Sequence, residues 1–368
     1  MWIYWILFIW PAIGALTNAR ASSVMGRTSF WALAVVLALV IGLRFQVGPD
    51  WDLYLTHLES LSASTWINAV INVNGDPAYW LLNWLANVTG CGIWLVNVVS
   101  AAIYVYGMFV LAKETASPWL AVTVAMPFMG IVIGMNYTRQ AAAMGFIFLA
   151  VVALGNSKVL RFACLVVAAA MFHKTAAIIL PLGVLVVSKN MRNRYAAWIK
   201  YAGNGAVIAI VCLLIYYLFL ADSSTAFIEN YLTGQMVSGG TVVRVLMNSL
   251  AAACMVLVRR NHWISLEKRK FWSRYAWSTL PFLVAIIVLP PLTMIDRLAF
   301  YWMPLQVYVF GQLPGALQRS GLKNIAKTAI TMSYATVLLV WLNYGNFSFA
   351  WKPYRFYPVE VLIYGSVP

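Results

Sequence analysis

Apolar runs about as long as a bilayer is thick recur along the whole of this 368-residue chain, separated by short polar punctuation. A helix needs roughly 20 predominantly apolar residues to cross the hydrocarbon core. Runs approaching that length lie at about 2–16, 28–43, 91–112, 118–135, 139–155, 159–172, 174–188, 203–220, 242–258, 275–291, 297–316 and 326–345. Lipid offers no hydrogen-bond partner to exposed backbone, so spanning segments are helices or strands of a closed barrel. These runs are continuous rather than alternating, which excludes the barrel. Charged residues make up 10% of the chain, against about 25% in an ordinary soluble domain, so no stretch has the surface of a separate water-facing domain. The expectation is an all-α, polytopic transmembrane bundle of about 12 spans, a single integral membrane domain over 1–368. A further stretch, Pro77 to Val88, is short for a span and carries Asn83 and Asn87; it reads as a re-entrant or interfacial helix.

The formal net charge of +15 does not point to nucleic acid, because the basic residues sit in short clusters between apolar runs, the pattern of cytoplasmic loops. Alternating the spans from an outside amino terminus places 18 of the 25 lysines and arginines inside, Arg20 and Arg27 first among them, and 7 outside. That split follows the positive-inside rule. The first run, Trp2 to Leu16, has no basic segment before it and no plain small-residue cleavage site, and is expected to be a retained span. Cys91, Cys164, Cys212 and Cys254 all fall in or beside apolar stretches with no CxxC pair, and read as small core residues.

The outer side is then where the unusual residues gather. Its long polar segments are 44–76 and 221–241, the second Gly- and Ser-punctuated and expected to form a mobile loop. The tail 346–368, with Trp351, Tyr354 and Tyr357, is expected along the outer interface, where Trp and Tyr prefer to sit.

Ionisable groups at the edge of a bundle are costly unless paired or solvated, and so mark candidate sites. Four places stand out. Arg44, Gly48, Asp50 and Tyr54 form the first: Gly48-Pro49 turns the chain, and Asp50 and Tyr54 share a helical face. An interfacial arginine paired with a helix-capping aspartate is the plainer reading of the same residues. In the second, Asn136 is a candidate N-cap that puts Arg139 in the first turn of a span, followed by Gln140. A cation is disfavoured there by the helix dipole, and either an anionic ligand such as phosphate or a nearby Asp50 would offset it. The third is His173 beside Lys174, where a neutral imidazole suits a general base, although a lone histidine at a helix end is more often structural. The fourth is Asp296, Arg297 and Tyr301. Here Asp296 and Arg297 neutralise each other, or Arg297 and Tyr301, on one face, grip a phosphate or sugar.

The order Gly-x-Arg-x-x-x-Gly-x-Asp-x-x-x-Tyr from Gly42 to Tyr54 resembles the EpsG-like family of Wzy-type polysaccharide polymerases. So do Asp76-Pro77-Ala78-Tyr79, the Asn136/Arg139/Gln140 helix opening, Phe172-His173 running to Pro181, and Arg297 with Tyr301. Lys174 departs from the pattern, since a small residue often stands there. The resemblance implies a multi-span fold like that of the GT-C-like lipid-dependent glycosyltransferases, in the bacterial inner membrane. It implies a metal-independent, cofactor-free enzyme that joins oligosaccharide repeat units carried on undecaprenyl diphosphate at the periplasmic or exterior face, making exopolysaccharide, capsule or O-antigen. A flippase and a chain-length regulator are the partners it suggests. On this reading Arg139 and Arg297, with Arg44, clamp the diphosphate; His173, or else Asp50, is the base; Tyr54, Tyr79, Tyr301 and Gln140 contact sugar. Two other classes compete. A flippase of lipid-linked sugars also needs a cationic cavity, but typically shows two repeated halves, and no internal repeat is visible in the sequence. A membrane O-acyltransferase can use a histidine, but usually draws its acyl donor from the cytoplasm, opposite to where His173 is expected.

Overall fold

The computed structural model describes residues 1–19, 21–61, 65–71, 76–185, 238–258 and 264–365, with isolated positions between 199 and 213. The expected run at 203–220 falls almost wholly outside the described residues, as does the expected mobile loop as far as residue 237.

Everything else follows the apolar runs. In order come α1 (Trp2–Leu16), α2 (Val24–Gly42), α3 (Trp51–Glu59), α4 (Trp66–Ile71), α5 (Pro77–Val88) and α6 (Gly92–Lys113). Next is α7 (Pro118–Ala125), which runs through a π-helical stretch, Met126–Ile133, into the single turn α8 (Gly134–Asn136). Then come α9 (Thr138–Gly155), α10 (Val159–Phe172) and a 3-10 helix, Lys174–Leu185. The described remainder holds α11 (Thr241–Leu257), α12 (Leu266–Trp277), α13 (Leu280–Val288), α14 (Thr293–Ala299), α15 (Pro304–Ala316), α16 (Ser320–Tyr344) and α17 (Tyr357–Tyr364). Ser23 caps α2 by accepting the Gly26 N–H at 3.1 Å. Prolines open α5, α7 and α15, where the missing N–H has no helical partner to lose.

Among the described residues, six segments are long and apolar enough to cross a membrane: Val24–Gly42, Gly92–Lys113, Pro118–Asn136, Thr138–Gly155, Lys268–Val288 and Ser320–Tyr344. Shorter apolar helices accompany them, including Trp2–Leu16, Val159–Phe172 and Thr241–Leu257. The expected run at 297–316 is not one continuous α-helix; a 3-10 turn at Phe300–Trp302 separates α14 from α15. Pro77–Val88 forms the short helix expected there, packed on α6, α3 and α4. Its buried Asn83 returns a hydrogen bond to Tyr79 O at 2.8 Å.

The centre of the bundle is α9, packed against α6 and α10, with α2 on the far side of α6. Small residues let the backbones approach, as in membrane helix pairs generally. A Cβ at Gly107 would collide with the backbone of Gly145, and one at Gly145 with that of Ile103. The core reading of the cysteines fails for Cys91 and Cys164, which are both exposed, and Cys254 is half-buried; Cys212 lies outside the described residues. An apolar run supplies lipid-facing as well as core-facing positions, and a small apolar residue fits either.

Polar contacts sort to two ends of the bundle. At the end of α6 that carries Glu114, Lys268 Nζ reaches Glu114 Oε2 at 2.6 Å. At the other end of α6, Asn97 accepts from Thr138 Oγ1 at 3.2 Å, and there Arg44, Asp50, Asp76 and Arg139 collect. The tail is sewn into this second end. Phe45 N donates to Arg355 O, Gly48 N to Ala350 O and Tyr357 N to Leu43 O, at 2.9, 3.0 and 2.9 Å. The ring of Tyr357 stacks on Trp94 with centroids 3.8 Å apart. Trp351 does not lie along an interface; it is buried, with its indole N–H directed at Ile131 O.

Candidate functional site

Asp76 stands immediately before α5, and its side chain leaves the helix end uncapped. It turns instead toward two other elements. Oδ2 lies 3.2 Å from Arg139 Nη1 at the start of α9, and Oδ1 accepts the Lys174 N–H at 2.9 Å. His173 Nδ1 is 3.5 Å from the same Oδ2, at the outer limit of a hydrogen bond. One buried carboxylate therefore ties α5, α9 and the α10 junction together. It also supplies negative charge to Arg139 at a helix amino terminus, beside that of Asp50, on which Arg139 acts as well.

His173 takes an extended conformation between α10 and the 3-10 helix and is buried at 8% exposure. Burial is the largest influence on its imidazole and pushes the pKa down. The Asp76 carboxylate opposes that shift, and the charges of Arg139 and Arg297 add to it. Burial alone would raise the pKa of Asp76. The His173 imidazole, the Arg139 guanidinium and the Lys174 N–H outweigh it and hold the carboxyl below its usual range. The geometry thus favours an ionised Asp76 beside a neutral His173.

The second half of the cluster is built on the turn after α2. Gly48 has φ +95°, a conformation open to glycine, and a Cβ there would stand 2.9 Å from Asn136 Oδ1. That close approach lets Asn136 clasp Asp50 from both sides: Asp50 N donates to Asn136 Oδ1 at 3.0 Å, and Asn136 Nδ2 donates to Asp50 Oδ2 at 3.2 Å. Asn136 is therefore not the N-cap of α9, a position held by Tyr137; it closes the preceding turn and holds Asp50. Burial raises the pKa of Asp50, against the lowering charges of Arg297 and Arg139 and the hydrogen bond from Asn136. Both arginines thus act on Asp50 and on His173, which places the four groups in one electrostatic neighbourhood.

Arg44 lies behind this neighbourhood. It is 1% exposed and directs its guanidinium at Ile41 O (2.8 Å), Val47 O (3.3 Å) and Thr138 Oγ1 (2.9 Å). These contacts shape the turn that carries Asp50. Tyr54 and Tyr79 are also buried, with their rings edge-to-face at 6.2 Å and the Arg139 guanidinium carbon 5.5 Å from the centre of the Tyr79 ring. Tyr301 is fully buried and shares a 3.0 Å hydrogen bond with Thr175. Gln140 donates to Arg297 O at 2.8 Å. All four side chains are buried.

Asp296 and Arg297 do not neutralise each other. Asp296 pairs in bidentate fashion with Arg244 and also accepts from Ser238, while the Arg297 guanidinium lies 5.9 Å from the Tyr137 ring. Arg244 and the hub role of Asp76 were not legible beforehand. His57 packs among Tyr54, Tyr79 and Trp80. Burial and the Arg139 charge lower its pKa to about 4, against the opposing charge of Asp76. Asp76 did carry one signal, since the Asp-Pro pair opens a short helix after a polar segment.

The fold and this cluster define an all-helical membrane protein with paired cations and carboxylates gathered at one end of its bundle. The sequence model of the EpsG family matches residues 27–356, and the chain belongs to the EpsG family. No curated protein and no solved structure matches it. The membership places the chain among membrane proteins of polysaccharide biosynthesis.

Proposed function

We propose that this protein is a polysaccharide polymerase, a metal-independent glycosyltransferase that joins repeat units carried on undecaprenyl diphosphate at the outer face of a bacterial inner membrane. The observation that carries the reading is the convergence of Arg139 and His173 on Asp76, at 3.2 and 3.5 Å, with the charge of Arg297 acting on His173 and on Asp50. Glycosyl transfer from a lipid diphosphate needs fixed positive charge where the leaving group develops its own and a base for the acceptor hydroxyl.

In the proposed reaction the acceptor oxygen bonds to the anomeric carbon of the growing chain. The bond from that carbon to the diphosphate oxygen breaks with its electron pair, and the hydroxyl proton passes to His173. Arg139 and Arg297 neutralise the departing diphosphate. Asp76 orients Arg139 and His173, and Arg44 and Asn136 hold the Asp50 turn. Asp50 is the second candidate for the base, because burial and its Asn136 clasp poise its carboxyl differently from that of Asp76. Tyr54, Tyr79, Tyr301 and Gln140 support the charged groups from behind. The reading includes a single membrane domain of about 12 crossings resembling the GT-C-like enzymes, with a flippase and a chain-length regulator as working partners.

The test is long-chain polymer in cells whose own polymerase gene is replaced by Arg139→Ala or Arg297→Ala. Loss of polymer at normal protein level is expected for each. Unchanged polymer in both would overturn the clamp.

A further inference from the structure

Two cavities beside the candidate site share a wall. The first, of about 300 Å³, is lined almost wholly by apolar groups from α7, the π-helical stretch, α11 and α16, among them Val124, Phe128, Met247, Val337 and Val340. Its polar wall residues Gln306 and Tyr334 are hydrogen-bonded to each other, and Gln306 also to Asn248, so they present little polarity to an occupant. Val243 and Val340, on its rim, are more than half and half exposed. The second, of about 630 Å³, is polar and lined by Pro49, Asn136, Ser238, Asp296 and Asn346, together with aromatic Phe347. Gly240, Arg244, Trp341, Tyr344 and Gly345 belong to both.

Arg244 is the cation at that junction. Its guanidinium carbon sits 4.9 Å from the centre of the Phe128 ring and 5.8 Å from that of Phe300. Asp296 takes its Nε and Nη2, and Ser238 also accepts from Nη2. Among the described residues no hydrogen bond uses Nη1, so two donors of a fixed fork stay available, and arginine forks suit phosphate. Nη1 lies over Gly240, where any Cβ would collide with it. Glycine at 240 therefore leaves the room that the guanidinium takes up in the wall common to both cavities.

The two cavities thus form a series: an apolar trough, one arginine whose Nη1 has no hydrogen bond among the described residues, and a chamber lined by polar and aromatic groups. The chamber ends on Asn136, the residue that clasps Asp50. We infer that the paired cavities hold a lipid-linked glycan, with its isoprenoid tail in the trough, its diphosphate at Arg244 and its sugars in the chamber. This rests on the proposed polymerase reading and extends it. Joining two lipid-linked units requires two headgroup sites, and the one beside Arg139, Arg297 and His173 serves the diphosphate that departs. Arg244, tempered by Asp296, suits the diphosphate that is kept. Cavities of this size fall in the range of ligand pockets.

The test uses the full chain in phosphatidylcholine nanodiscs with a polyprenyl diphosphate-linked sugar that carries a diazirine in its isoprenoid tail. Crosslinks are expected on Met247, Val337 and Val340, displaced by excess unlabelled polyprenyl diphosphate. They should fall at least tenfold in Val337→Trp, which fills the trough, and in Arg244→Gln and Gly240→Ala, which remove or displace the donors. Thermal melting screens each variant for folding, and Met247→Trp replaces Val337→Trp if that protein fails to fold. Equal, undisplaced labelling of the same residues by a diazirine phosphatidylcholine would show an ordinary lipid-facing groove and overturn the inference. Polymer synthesis in cells separates the two readings. Displaceable label in the trough without any polymer keeps this site and removes the polymerase; normal polymer with label elsewhere does the reverse.

Discussion

Arg139 and Asp76 stand 63 positions apart in the chain and meet at 3.2 Å, so that a cation at a helix amino terminus is balanced by a carboxylate from the start of another helix. The same carboxylate reaches the Lys174 N–H and the imidazole of His173.

Asp76→Asn keeps an acceptor for the Lys174 N–H but removes the charge facing Arg139 and His173. Polymer synthesis is expected to fall at least 100-fold at unchanged protein level, measured as chain length on gels and protein by immunoblot. Wild-type chain lengths from Asp76→Asn would mean that the hub is only a fold contact.

The pH dependence has a definite sign. His173 works as a base when neutral, and its pKa is lowered by burial, so the rate should hold as pH falls through 7 and decline only below the free-histidine value of about 6.5. Asp76, held below the usual carboxylate range, stays ionised across that window. The readout is the rate of lengthening of a purified lipid-linked repeat unit between pH 4.5 and 8. An acid limb centred at 7 or above would argue against His173.

His57 makes a stability prediction of its own. Its folded pKa of about 4 lies below the free-histidine value of about 6.5, so its contribution is fully present above about pH 6.5 and is lost as pH falls through the folded value. Melting temperature in detergent should therefore drop between pH 6.5 and 4. In His57→Phe, which keeps a ring among Tyr54, Tyr79 and Trp80, the drop should be smaller.

Arg44→Met strips three protein acceptors of a buried donor. Leaving such groups unpaired costs about 3 kcal/mol, which corresponds to a melting point lower by roughly 4 °C for a chain of this length. Activity should fall with the Asp50 turn, and Arg44→Lys should rescue little, because one ammonium does not reproduce a three-way fork.

Gly145→Val tests the bundle's centre. Its added methyls meet the backbone of α6 at Ile103 and Tyr104, and α9 does not move aside without disturbing α10, nor α6 without disturbing α2. Folded protein recovered by size-exclusion chromatography should drop severalfold, and Gly321→Val, where a Cβ meets nothing among the described residues, should have no such effect.

The apolar runs were legible because lipid admits few alternatives, and most helices lie where hydropathy put them. Continuous hydropathy over 297–316 does not reveal the 3-10 turn at Phe300–Trp302. The cysteines went astray for a related reason: apolarity does not say whether a side chain faces protein or lipid. At the site, Arg139, His173 and Asp50 were visible as costly charges at span ends. Their pairing was not, because Asp76 and Arg244 meet partners 63 and 52 positions distant. Nothing local in a sequence records which of several carboxylates an arginine will find. Arg44 looked like a ligand for the same reason, since position at a span end is shared by cations that face a substrate and cations that brace a turn.

The seam between residues 350–357 and the turn at 43–48 also bears on how the protein is made. Helices inserted in order would leave that turn without its backbone partners until residues 350–357 had followed. Arg44 and Asp50 would stay in an unfinished setting until then, so the local geometry of the first charged cluster depends on one of the last segments to pack against it.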